Sequence, residues 1–166
     1  MEQIQRLHIG GRQVKPGWKI LNIQPGPGVD FVGDISDLSQ FASESFQEIY
    51  ASHVLEHVPQ VQFVHTLKGL HRILKTGGKL MVSVPDLDTL CSQFTQLAGP
   101  NNTEARMYVM RMIFGGQVDS HDFHYIGLSF DIRAKFAGEA GFRTMKRVQT
   151  FEVFNDMSDY APYGRP

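Results

Sequence analysis

Four histidines stand where they could handle protons. His53 and His57 frame the run His53-Val54-Leu55-Glu56-His57, and His121 and His124 frame His121-Asp122-Phe123-His124. An imidazole titrates near neutrality, so each suits a general base that removes a proton from a hydroxyl as that hydroxyl attacks. Gln117 and Tyr125 flank the second pair and offer amide and phenol contacts to an acceptor. The first run also spells H-x-x-E-H, a zinc-peptidase spacing, with Glu139 available as a third ligand. In those enzymes the string lies inside a helix. Here it follows a strand-like run and precedes Pro59, so no metal is expected.

The elements that must position these residues can be read from periodicity. Short apolar runs at residues 5–9, 19–23, 29–32, 46–51 and 79–84 read as strands, punctuated by Gly10-Gly11, Pro25-Gly26-Pro27-Gly28, Gly33 and Pro85. Phe63, Leu67, Leu70 and Leu74 form one helical stripe, with Thr76-Gly77-Gly78 as its expected end. Leu87, Leu90, Phe94 and Leu97 form another, capped by Asp86 or Asp88. Two more helices are expected over residues 103–114 and 129–140, the last stopped by Gly141, with a sixth strand over 143–148, prolonged through 150–154. Strands alternating with helices predict an α/β architecture: an open, mostly parallel sheet with flanking helices. The stretch from Gly11 to Gly17 is too short for a full crossover helix, and residues 155–166 hold no strand-like run. The first crossover helix is therefore expected to be short or absent, and the last strand missing.

Ligands of open α/β sheets bind beyond the carboxyl ends of the strands. Those ends carry Gly10-Gly11, Asn22, Asp34 and Ser52-His53, four tips rich in small and polar residues. Arg12 interrupts any G-x-G-x-x-G, which argues against a dinucleotide-binding dehydrogenase.

Taken together, Leu7-His8-Ile9-Gly10-Gly11-Arg12, Pro16-Gly17-Trp18 and Asn22-Ile23-Gln24-Pro25-Gly26-Pro27-Gly28-Val29-Asp30-Phe31-Val32-Gly33-Asp34 resemble the class I S-adenosylmethionine-dependent methyltransferases, in particular their small type 11 branch. The resemblance continues through residues 45–58, Arg72 to Gly78, Ser83 to Asp86, Phe114 to Gln117, His124 and Ala140 to Phe142, nearly the whole chain in order. It implies a Rossmann-like methyltransferase fold, S-adenosylmethionine as cofactor, and methyl transfer to a small-molecule or glycan acceptor at oxygen. It also implies roles. Gly10 and Gly11 would let the backbone approach the methionine part of the cofactor, with Arg12 pairing its carboxylate. Asn22 and Ile23 would face the ribose, and Asp34 and Ile35 the adenine. Ser52, His53 and Val54 would line the sulfonium. From the chemistry of the residues themselves, His53 and His124 are the expected catalytic groups, and His57, Gln117, His121, His124 and Tyr125 the expected acceptor contacts. The family has Gly-x-Gly where this chain has Gly10-Gly11-Arg12, and usually an acidic residue where it has Asn22. Asn22→Asp is accordingly expected to tighten cofactor binding about tenfold, by restoring a charge-assisted bond. The same departures leave an alternative reading, a non-catalytic binding or dimerisation module with a weakened cofactor site.

Composition sets the outer bounds. A chain of 166 residues fits one domain over residues 1–166. With 16 Lys+Arg against 17 Asp+Glu it lacks the basic excess that nucleic acid would require. No apolar run approaches the ~20 residues of a membrane span. The N-terminus lacks the basic-then-apolar pattern of a secretory signal. Cys91 is the only cysteine, so no intramolecular disulfide or Cys-rich zinc site is expected, and a cytoplasmic location is. The edge left by a missing strand, or the helix holding Met107, Met110 and Met112, is the expected surface for a homodimer.

Overall fold

The computed structural model describes residues 5–154. Five strands, β1 (Arg6–Ile9), β2 (Trp18–Asn22), β3 (Phe31–Val32), β4 (Phe46–Ser52) and β5 (Leu74–Ser83), form one sheet in the order β3-β2-β1-β4-β5. Every neighbouring pair is parallel, with Leu7 opposite Lys19 on one side and Ile49 on the other. All strand carboxyl ends therefore lie along one rim, which is what gathers the candidate residues.

The two sheet faces are covered very differently. Leu7, Ile9, Leu21, Ile49 and Ala51 point into the main core, closed by helices α1 (Phe63–Ile73) and α4 (Phe130–Ala140) through Phe63, Leu67, Leu70 and Phe136. Fully burying an aliphatic or aromatic side chain contributes about 1.5–3 kcal/mol, so this face carries most of the stability. The opposite face shows Trp18, Tyr50 and Met81, covered by Phe151, Val153 and Phe154. No helix lies between β1 and β2 or between β2 and β3. Residues 10–17 join two parallel neighbours without one, as the short spacing predicted.

That bare face explains a correction. Residues 143–148 and 150–154, expected as a strand, form no strand. Phe154 instead stacks on Tyr50 at 5.3 Å between ring centroids and meets the edge of Trp18 at 5.1 Å. Aromatic cover for an otherwise wet face outweighs the ladder bonds the segment could have made on the sheet edge. Thr76-Gly77-Gly78, expected as the helix end, lies inside β5. α1 ends earlier, at Ile73, because Leu74 turns extended and enters β5 opposite Phe46. Gly77 (φ +76°) then forms a kink inside β5, where the register against β4 shifts.

Helices α2 (Leu87–Gln96) and α3 (Thr103–Phe114) complete the structure. Asp86 caps α2, its carboxylate accepting from Thr89 N at 3.0 Å, and Gly141 (φ +105°) ends α4 in the left-handed conformation. Among the described residues no helix is long and apolar enough to cross a membrane.

Candidate functional site

The rim begins at the β1 tip. Gly10 has φ +78°, and its N–H donates to Leu21 O at 2.8 Å, so the chain turns sharply while still tied to β2. A Cβ on Gly10 would sit 2.3 Å from Val54 Cγ2, and one on Gly11 would sit 2.2 Å from His8 Nδ1. The turn is thus wedged between the β4 tip and the β1 core. Gly10 itself is exposed, so its backbone is open to an approaching ligand.

Asn22 staples this turn. It is 7% exposed, donates from Nδ2 to Gly11 O at 3.1 Å and Gly10 O at 3.3 Å, and accepts at Oδ1 from Gln24 N at 2.9 Å. Only an amide serves all three partners, because the carbonyls need a donor and Gln24 N needs an acceptor. This reverses the expectation for Asn22→Asp. A carboxylate would face two carbonyl oxygens with nothing to donate, and the glycine turn would loosen. Asn22→Asp is expected to lower stability by about 1–3 kcal/mol and to leave cofactor affinity no tighter, measured by urea unfolding and calorimetric titration. A tenfold tightening would show that the staple is dispensable.

Other tip residues take less central positions. The Arg12 guanidinium donates to Gln24 Oε1 at 2.7 Å on the exposed surface, beside the 40% exposed Ile23. Asp34 is exposed and accepts at Oδ1 from both the N–H and the hydroxyl of Ser36, at 2.8 Å each. Ile35 is 6% exposed and belongs to the core, so its side chain turns away from the rim and only its backbone can face a ligand there.

The β4 tip carries the histidines. His53 N donates to Ser83 O at 2.9 Å, extending the β4–β5 ladder past Ser52. His53 then adopts φ +52°, a left-handed conformation costly for a side chain with a Cβ and a frequent mark of functional sites. Its ring, partly exposed, places Nδ1 3.2 Å from Glu56 Oε1. Glu56 and His57 belong to the single 3-10 turn Leu55–His57 that follows. Glu56 is 2% exposed, a buried carboxylate orienting an imidazole.

The loop after α3 closes against this turn. Gly115 (φ +84°) begins it, where a Cβ would lie 2.2 Å from Asp122 O. Backbone bonds then fasten the loop: His124 N to Phe114 O at 3.1 Å, and Tyr125 N to Glu56 O at 2.8 Å. His57 Nδ1 faces Phe123 O at 3.0 Å, and His124 Nδ1 faces Met112 O at 3.0 Å. The two rings meet edge to face, 4.8 Å apart. Burial pushes the His124 imidazole below its ordinary value; the nearby Glu56 carboxylate works against this and His57 works with it.

Of the sequence-predicted acceptor residues, the fold thus brings His57 and His124 together. Gln117 and His121 lie on the exposed limb of the loop, Gln117 with φ +56° and its N–H donating to Asp122 O at 3.0 Å. Tyr125 is 54% exposed and stacks on Phe123. Glu139, the third ligand suggested by spacing, pairs with Lys135 on exposed α4. Sequence reasoning named Glu56 only as a letter of the H-x-x-E-H string. The available signal was a carboxylate between apolar Leu55 and Val58. A cavity of about 620 Å³ lies away from the histidines, between residues 13–16 and the segment ending at Phe154.

With this geometry in hand, comparison identifies the scaffold. Residues 13–82 match the sequence profile of the methyltransferase domain. No curated protein matches the sequence significantly. Among solved structures, the trans-methyltransferase CalH in complex with SAH superposes with a TM-score of 0.50 at 18% identity, over 83% of this chain and 44% of CalH. A SAM-dependent methyltransferase of Thermotoga maritima, described as a possible histamine N-methyltransferase, gives 0.52 at 20% identity, over 82% and 63%. A methyltransferase of Haloferax volcanii in complex with the activator Trm112 gives 0.52 at 18%, over 84% and 62%. The chain spans less than two thirds of each of these proteins. The matched segment is that of a methyltransferase domain, and the parallel five-strand sheet has the Rossmann-like fold of the SAM-dependent methyltransferases it superposes on.

Proposed function

We propose that the protein binds S-adenosylmethionine along the strand rim and transfers its methyl group to an oxygen of a small-molecule or glycan acceptor. The observation that carries the reading is the rim itself: an exposed glycine turn stapled by Asn22, a surface carboxylate at Asp34, and a strained histidine at the β4 tip held by a buried carboxylate. The donor set fits the cofactor. Exposed Gly10 backbone suits close approach of its methionine part, Arg12 its carboxylate, Ile23 its ribose, and Asp34 with the Ile35 backbone its adenine, while Asn22 holds the glycine turn in place. Ser52, His53 and Val54 line the reacting end.

A sulfonium arrives already activated, so the protein must mainly align the acceptor and remove its proton. His53 is the general base. The Glu56 carboxylate at Nδ1 fixes the ring and leaves Nε2 to face the acceptor. His124, whose pKa burial lowers, is a second base in the same region, and His57, Gln117, His121 and Tyr125 supply acceptor contacts. The reading carries a cytoplasmic setting, which suits the exposed thiol of Cys91, and homodimerisation through the edge strand β5 or α3.

The test is formation of S-adenosylhomocysteine from S-adenosylmethionine over a panel of hydroxylated small molecules and glycans. Product formation that requires an acceptor is expected. His53→Ala is expected to lower turnover about 100-fold while cofactor binding stays within about twofold. Unchanged turnover would remove His53 from the chemistry. A second reading, a binding module without catalysis, is favoured by one observation: no helix follows the Gly10-Gly11 turn to point its positive end at an anionic ligand. It predicts that no acceptor in the panel supports turnover.

A further inference from the structure

Glu56, His57 and His124 have a further feature as a group. One carboxylate oxygen and one nitrogen from each ring lie within 4.8 Å of one another. Glu56 Oε1 is engaged by His53, but Oε2 is buried with no hydrogen-bond partner among the described residues. An unsatisfied buried carboxylate oxygen costs several kcal/mol unless something cationic meets it.

Both rings are already oriented. Each presents Nδ1 to a backbone carbonyl, Phe123 O for His57 and Met112 O for His124, which fixes the proton on Nδ1 and leaves the lone pair on Nε2. Imidazole donating one N–H to a backbone carbonyl while its other nitrogen binds an ion is the usual outer-shell arrangement of metal centres. The backbone bond from Tyr125 N to Glu56 O locks the loop carrying His124 onto the turn carrying the other two groups.

We propose that Glu56, His57 and His124 bind one divalent transition-metal ion, with zinc best suited to the two nitrogens and one oxygen. Two imidazoles disfavour magnesium and calcium, which prefer all-oxygen ligands. Ligand atoms around a tetrahedral zinc stand about 3.3 Å apart, so the present spread closes through small rotations of the three side chains. Three protein ligands leave one coordination position open, the pattern of a reactive rather than a purely structural zinc. In the methyl-transfer reading that position would take the acceptor oxygen and ease its deprotonation. Metal binding itself does not depend on that reading, and His124 then serves as a ligand instead of a base.

The experiment uses untagged protein, stripped with a chelator, dialysed, and titrated with Zn²⁺ against a chromophoric chelator and with Co²⁺ by visible absorption, without cofactor or acceptor. One equivalent of Zn²⁺ with a dissociation constant of about 1 µM or tighter is expected, together with Co²⁺ d–d bands of a four- or five-coordinate site. Glu56→Gln, His57→Ala and His124→Ala should each weaken binding about 100-fold or more, and His65→Ala on the exposed face of α1 should not. Three variants are used so that localisation survives the loss of any one to misfolding, checked by circular dichroism. No binding by the wild-type protein at micromolar Zn²⁺, or binding that persists in every folded variant, overturns the proposal. Either result leaves the cofactor titration described below unaffected.

Discussion

Gly10→Ala is expected to lower stability by about 2–5 kcal/mol and to abolish measurable cofactor binding. Two costs add. An alanine at φ +78° sits in the left-handed region, at about 1–2 kcal/mol, and its methyl would lie 2.3 Å from Val54 Cγ2, an overpacking of about 1–3 kcal/mol. Neither side can yield cheaply. The Gly10 N–H is bonded to Leu21 O and its carbonyl to Asn22, so the turn is held from β2. Val54 is short and branched and precedes the turn carrying Glu56 and His57, so pushing it displaces the histidine cluster as well. Urea unfolding and titration of the same variant test both halves. A loss under about 1 kcal/mol would mean that the rim is far more compliant than its contacts indicate.

Asp86→Ala should be comparably damaging, at about 3–5 kcal/mol. Asp86 is 8% exposed and joins three parts of the structure: its Oδ1 caps α2 through Thr89 N, while Oδ2 accepts from Arg133 of α4 at 3.2 Å and Arg147 of the following segment at 2.5 Å. The Arg133 side chain is only 16% exposed, so removing the carboxylate takes a charged partner from a largely buried guanidinium that Ser129 O still holds at Nε. The cap adds about 1 kcal/mol. Arg147 is 60% exposed and contributes little energy, but its tether helps hold residues 143–148 near the body. Asp86→Asn retains a capping acceptor and should recover roughly the cap's share. Equal losses for Ala and Asn would assign the whole effect to charge.

Much of the scaffold was legible in the sequence because local patterns and tertiary demands agree there. The stripe Phe63, Leu67, Leu70 faces the core as its spacing requires, α3 spans residues 103–114, and Asp86 caps α2. Failures occurred where a distant partner decided the outcome. Residues 143–154 carry enough β-formers to resemble a strand, but the uncovered Trp18–Tyr50–Met81 face recruits their aromatics. Thr76-Gly77-Gly78 looked like a helix end, but Leu74 had already been claimed by Phe46 of β4.

The site follows the same division. The rim residues were found from their types because parallel strands must end together. What each side chain does there was not, since Asn22 looks like a ligand contact in sequence and acts as a staple in three dimensions. Glu56 was passed over because its importance arises from burial beside His53, His57 and His124, and His124 is 68 positions away from Glu56 in the chain. Chain separation of that kind leaves no local pattern to read.

The central claim, that the strand rim holds S-adenosylmethionine, is tested most directly by calorimetric titration of the purified protein with S-adenosylmethionine and S-adenosylhomocysteine. One equivalent is expected to bind with a dissociation constant of about 1–100 µM, and binding is expected to be lost in Gly10→Ala. No heat of binding from either ligand up to about 1 mM would contradict it, and the fold would then be serving a partner other than the cofactor.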